Sequence, residues 1–172
     1  MSNTANEPTE RDAVDKLADY WMSAGMPSGA IARLELSKRA SRLAQRYEQV
    51  VKGALTDLGL TYAELDILAT LRRAGTPLRP SELTKSLLLT SGGTSNVLQR
   101  LTAAGYVERE PNAEDARSRW VRLTPSGQQM TDKALAASNS ALESLLAGIP
   151  EPTIRAAANA LRDITTTTDR RP

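Results

Sequence analysis

At 172 residues, with 40% hydrophobic and 24% charged side chains, the chain is sized and composed for one folded domain and a small appendage. Cysteine and histidine are both absent, which excludes disulfides, thiolate zinc sites, cysteine nucleophiles and the Ser-His-Asp triad. Aromatics are 3% with no phenylalanine, so the core must come from Leu, Ile, Val and Ala, which favours helices over a β-sandwich, and the net charge is only +2.

Residues 1–11 read as a polar tail without the apolar stretch of a signal peptide. No apolar run reaches the roughly 18 residues of a membrane span, so a soluble cytoplasmic protein is expected. Asp12 to Met22 reads as a short helix with Val14, Leu17, Ala18 and Trp21 on one side, interrupted by Gly25, Pro27 and Gly29. A long helix follows from about Ala30 to Leu58. Its positions Leu36, Ala40, Leu43, Tyr47, Val50 and Ala54 step alternately by 4 and 3, a coiled-coil-like seam that asks for a partner. Gly59 stops it. Thr61-Tyr62-Ala63-Glu64 is a capping box opening a helix to about Arg73. After the turn Ala74–Pro77, Pro80 fits the first turn of a short helix over Ser81–Leu88. A tight turn near Leu89–Ser91 leads to a further helix ending about Ala104, with Val97, Leu98 and Leu101 inward and Gly105 as its stop.

The period then changes. Tyr106–Glu110 reads as a strand, Pro111–Ser118 as a polar loop and Arg119–Leu123 as the return strand. Thr124-Pro125 opens a long helix to about Ala147. Pro150 and Pro152 bracket a turn before a last helix carrying Ile154, Ala157, Ala158, Leu161 and Ile164, and TTTTDRRP reads as a frayed tail. The expected organisation is a tail and short extra helix over 1–29, a dimerisation helix over 30–58, a winged helix-turn-helix lobe over 59–123, C-terminal dimerisation helices over 124–165 and a tail over 166–172. The fold class is mainly α, with a small β-wing.

Charge follows this organisation. Residues 33–52 hold six basic and two acidic side chains, and residues 72–122 hold nine and five, with one acidic stretch before them and one between them. A basic face toward nucleic acid produces this pattern, and so does a solvated surface. In a helix-turn-helix the second helix enters the major groove and its first residues meet base edges. Here that helix opens Ser91-Gly92-Gly93-Thr94-Ser95-Asn96, small and hydrogen-bonding. Ser91, Thr94, Ser95 and Gln99 are placed on its outer side, Gln99 as an adenine reader and Arg100 as a phosphate contact. The wing loop supplies Asp115, Arg117 and Arg119. Arg117 suits a narrow minor groove, and Asp115 fits a clamp that orients it. A surface helix with a polar start and a solvated charged turn are the plain alternatives. Ser91, Asp66 and Lys85 form no base–nucleophile signature, so no enzyme, cofactor or metal is expected.

The stretches LLLTSGGTSNVLQRLTAAGYVERE and DARSRWVRLTPSG resemble the MarR (multiple antibiotic resistance regulator) family of winged-helix transcription factors. The family's wing pattern D-x-R-x-x-x-V-x-L-T is matched by Asp115, Arg117, Val121, Leu123 and Thr124, and the resemblance extends over about residues 33–165. It implies an obligate homodimer on double-stranded DNA with a palindromic operator, with Arg117 in the minor groove and Asp115 as its anchor. A short helix with a Trp ahead of the first family helix is similar to the urate-responsive, PecS-like subgroup. That resemblance implies a ligand site in which Trp21, Asp66 and Arg109 match three of four positions, while the subgroup's recognition-helix arginine is Val97 here. An aromatic or anionic small-molecule effector is the expectation, and a repressor released by it. The alternatives are that Trp21 packs the dimer lobe and Asp66 pairs with a nearby arginine. A winged-helix protein–protein module and a ligand-independent DNA-binding regulator are the competing functions; the polar recognition helix favours DNA.

Overall fold

The structure, a computed structural model, describes residues 11–86, 91–111 and 119–169. The chain forms two compact units, one ending at Gln49 and one beginning at Val50. In the first, α1 (Ala13–Ser23) starts where Asp12 accepts from the N–H groups of Val14 and Asp15 at 2.8 and 3.0 Å, while Asp15 accepts from the Asp12 N–H at 2.7 Å. This is a capping box built from two aspartates. Val14, Ala18 and, on α2 (Ser28–Thr56), Ile31 are buried. Arg39 of α2 then reaches Asp12 at 3.1 Å, Asp15 at 2.8 Å and Glu35 at 3.0 Å. Its guanidinium is the main cause that lowers the pKa of the Asp12 carboxyl to about 2.

In the second unit, α3 (Tyr62–Ala74), α4 (Pro80–Ser86), α5 (Ser91–Ala103), the hairpin β1 (Val107–Pro111) and β2 (Arg119–Leu123), and α6 (Pro125–Leu145) share one core. Leu68 and Ile67 of α3, Leu83 of α4, Leu98 and Leu101 of α5, Val107 of β1 and Val121 of β2 are almost wholly buried. Each such side chain contributes about 1.5–3 kcal/mol on burial. The strands pair antiparallel, with Arg109 opposite Val121 and Glu110 opposite Trp120. Leu78 adds one rung: its N–H donates to Val121 O and its carbonyl accepts from the Val121 N–H, both at 2.9 Å. The sequence reading left Leu78 just past a turn, and this pairing fastens the wing to the segment entering α4. Helix α7 (Glu151–Thr168) buries none of its side chains. It continues through residues 166–168, which the sequence reading gave to the tail. The threonine hydroxyls donate to carbonyls one turn back, Thr165 to Leu161 at 3.1 Å and Thr168 to Ile164 at 3.2 Å. Among the described residues, no helix is long and apolar enough to cross a membrane.

At the junction of wing and α6 two backbone segments approach closely. Thr124 caps α6 by accepting from the Gly127 N–H at 3.0 Å, and its hydroxyl donates to Gly105 O at 2.7 Å. Ser126 donates to the same carbonyl at 2.9 Å. This draws Gly127 against the Tyr106 backbone so closely that a Cβ would collide with the Tyr106 carbonyl. Gly127→Ala should therefore lower stability by about 1–3 kcal/mol, since backbone rather than a flexible side chain must yield. Gly53→Ala, in open space on α2, should be neutral or stabilising by up to about 1 kcal/mol. Urea melts of the two variants check the contrast; equal midpoints would show that the junction is not tight.

Candidate nucleic-acid interface

The helical period of α5 sorts its side chains. Thr94, Val97, Leu98 and Leu101 are buried, and Gly92, Ser95, Asn96, Gln99 and Arg100 are exposed. Ser95 and Gln99 thus stand on the outer side where the sequence reading put them. Thr94 does not. It is 1% exposed, because it lies three and seven residues before Val97 and Leu101 and so falls on their inward stripe. Asn96 takes the outer position instead, one turn beyond Gly92 and next to Gln99. That signal was present in the spacing of the helix. The side chain of Ser91 and residues 87–90 lie outside what the structure describes, as do Asp115, Arg117 and the side chain of Arg119.

Arg100 is exposed but tethered. Its Nε forms an ion pair with Glu64 Oε1 at 3.0 Å, and the Glu64 side chain is only 9% exposed. The other oxygen, Oε2, accepts from the Thr61 N–H at 2.7 Å and the Thr61 hydroxyl at 2.8 Å. One carboxylate thus caps α3 and holds the last turn of α5. The capping box announced Glu64 as a cap; nothing in the local sequence announced its second partner 36 positions on.

The wing presents two unlike faces. On one, Arg122 bridges Glu108 at 2.8 Å and Glu110 at 2.7 Å, with Trp120 alongside and the Arg79 guanidinium 5.1 Å from the Trp120 ring centre. On the other, Val107 and Val121 go into the core, and exposed Arg109 lies beside α5. There it lines a groove of about 570 Å³ with Ser95, Gln99, Thr102 and Ala103. The structure does not bring Arg109 to Asp66. Asp66 is half-buried on α3, where burial pushes its carboxyl up and Arg73, on the same helix, pulls it down. Trp21 sits half-buried on α1, in the first unit.

These features have close counterparts. The MarR family's sequence profile matches residues 58–118. The multiple antibiotic resistance protein MarR of Salmonella typhimurium is 33% identical over 89 residues, covering 52% of this chain and 61% of that protein. The HTH-type transcriptional regulator PecS of Dickeya dadantii is 31% identical over 97 residues, 55% of this chain and 58% of the regulator. The chain spans about three fifths of the length of these curated relatives. The crystal structure of a cysteine-to-serine mutant of MarR from E. coli, complexed with operator DNA, superposes with a TM-score of 0.68 at 24% identity, over 75% of this chain and 92% of that one. The fold is therefore the winged helix seen in MarR regulators, and residues 58–118 are similar in sequence to the MarR family.

Proposed function

We propose that the protein is a homodimeric, sequence-specific DNA-binding transcriptional regulator, a repressor released by a small aromatic or anionic ligand. The observation that carries the reading is the exposed stripe Ser95, Asn96 and Gln99 on a helix anchored by Val97, Leu98 and Leu101 and flanked by a β-wing. Asn and Gln each make bidentate contacts to adenine, worth about 1–3 kcal/mol of discrimination per pair. A protein–protein module would present an apolar face there. Dimerisation is supported by apolar side chains left exposed on two helices, Leu36 and Leu43 on α2 and Leu161 and Ile164 on α7. For the ligand, Arg109 is the cation best placed, in a groove shared with Ser95 and Gln99, so an anion held there stands against the base-reading stripe. Asp66, under the pull of Arg73, fits the reading as an intrahelical charge partner, and Trp21 fits packing within its own unit.

Gln99→Ala and Asn96→Ala should weaken binding to an operator selected from random duplexes by about 5- to 150-fold each and leave random DNA almost unaffected. Arg117→Ala and Asp115→Ala should weaken operator binding with unchanged helical content. Gel shifts at equal salt test both; equal loss on operator and random DNA for Gln99→Ala removes it from the base readers. Light scattering at micromolar concentration should report about twice the chain mass. A monomer that binds the operator tightly would overturn the dimer. Repeating the shifts with a panel of small aromatic acids and purines, Arg109→Ala should need more acid than the wild-type protein to release DNA; identical release curves would remove Arg109 from the ligand site.

A further inference from the structure

Arg79 stands just before α4, at the position where Ser, Thr, Asp or Asn ordinarily caps a helix. An arginine side chain has no acceptor and cannot cap. Glu82 serves this helix end instead, its Oε2 accepting the Arg79 N–H at 2.6 Å. The Arg79 guanidinium lies over the Trp120 ring, 5.1 Å from its centre. The backbone makes this stack rigid: Leu78, one residue before Arg79, exchanges two 2.9 Å hydrogen bonds with Val121, one residue after Trp120.

Among the described residues, the nearby carboxylates are committed elsewhere. Glu110, opposite Trp120, and Glu108 are both held by Arg122, and Glu82 is on the backbone. Among the described residues Arg72, Arg100 and Arg122 each have an ion-pair partner, and Arg79 has none. A stacked guanidinium keeps the donors on its edge available, since the ring occupies only its face. The first helix of a helix-turn-helix crosses the sugar–phosphate backbone while the second enters the groove. Arg79 stands at the entrance of that first helix and against the loop-side end of the wing's strands, between the two elements that flank the recognition helix.

We propose that Arg79 is a DNA phosphate contact, held in position for that role by the Trp120 ring. The proposal rests on the reading of the protein as a DNA-binding regulator, and it adds a backbone contact outside the recognition helix and the wing tip.

The test is equilibrium binding of the full chain to a selected operator and to random duplex between about 50 and 200 mM salt, where each phosphate contact accounts for about 3.5-fold of the affinity lost. Arg79→Met keeps an apolar stem on the ring without the charge. It should weaken both DNAs by a similar factor and flatten the log–log salt slope by about one per protomer. Arg79→Lys should recover most of the slope. Trp120→Leu, which keeps the cation but removes its support, should fall between Arg79→Met and wild type in affinity. If Arg79→Met keeps the wild-type slope and affinity, or changes only the melting temperature, the stack is structural and the contact is overturned while the regulator reading stands. If the wild-type chain binds neither DNA, both fall together.

Discussion

The Glu64 carboxylate ties the reading helix to the scaffold. One oxygen closes the N-terminus of α3 through Thr61, and the other holds Arg100 in the last turn of α5. A carboxylate so far from water persists only where both oxygens are bonded, and both are. The pair also sets the rotation of α5. Thr94 and Arg100 are six residues apart, about 240° around the helix, so turning Thr94 outward would tear Arg100 from Glu64. The apolar stripe Val97, Leu98 and Leu101 enforces the same rotation from beneath. Ser95, Asn96 and Gln99 are thereby presented by two independent constraints, one apolar and one ionic.

The elements were largely legible because their signals are local. The change from a helical to an alternating period marked the hairpin, Thr124-Pro125 marked the start of α6, and Thr61 to Glu64 marked that of α3. What escaped were through-space relations. Leu78 pairs with a residue 43 positions away, and the need for glycine at position 127 comes from the Tyr106 backbone, 21 positions earlier. Neither has a counterpart in composition or spacing. Thr94 is a different case. Its hydroxyl suits a base contact, but the interval to Val97 and Leu101 places it inward. The α7 threonines likewise read as a frayed end because Thr is a poor helix former in water. In the structure the helix nonetheless runs to Thr168, with these hydroxyls donating to carbonyls one turn back.

Charge counting overstates the free positive charge. Of the nine basic residues between positions 72 and 122, Arg72 is paired with Asp132, Arg100 with Glu64 and Arg122 with two glutamates. These pairs hold helix to helix and strand to strand, so the +4 of the segment is not a free field. Arg100 illustrates the consequence. Its Nε sits on a carboxylate that is nearly buried while the rest of the guanidinium is exposed, so its charge is already shared within the fold.

The arginines that no carboxylate neutralises among the described residues of the reading head are placed differently. Arg109 lies beside α5 in a groove with Ser95 and Gln99, and Arg79 is stacked on Trp120 at the entrance to α4. Each departs from a local rule: a cation on the inward-facing side of a hairpin, and a residue without an acceptor at a helix cap. Neither departure helps the segment fold, since a capping side chain before Pro80 would stabilise α4 better than Arg79 does. A stability cost at an exposed position, with the cation kept clear of the neighbouring acids, is the pattern expected where the stabilising partner comes from outside the chain. Pairing for the fold and exposure for recognition thus divide one residue type between two tasks, and the division is set by where the acidic residues stand.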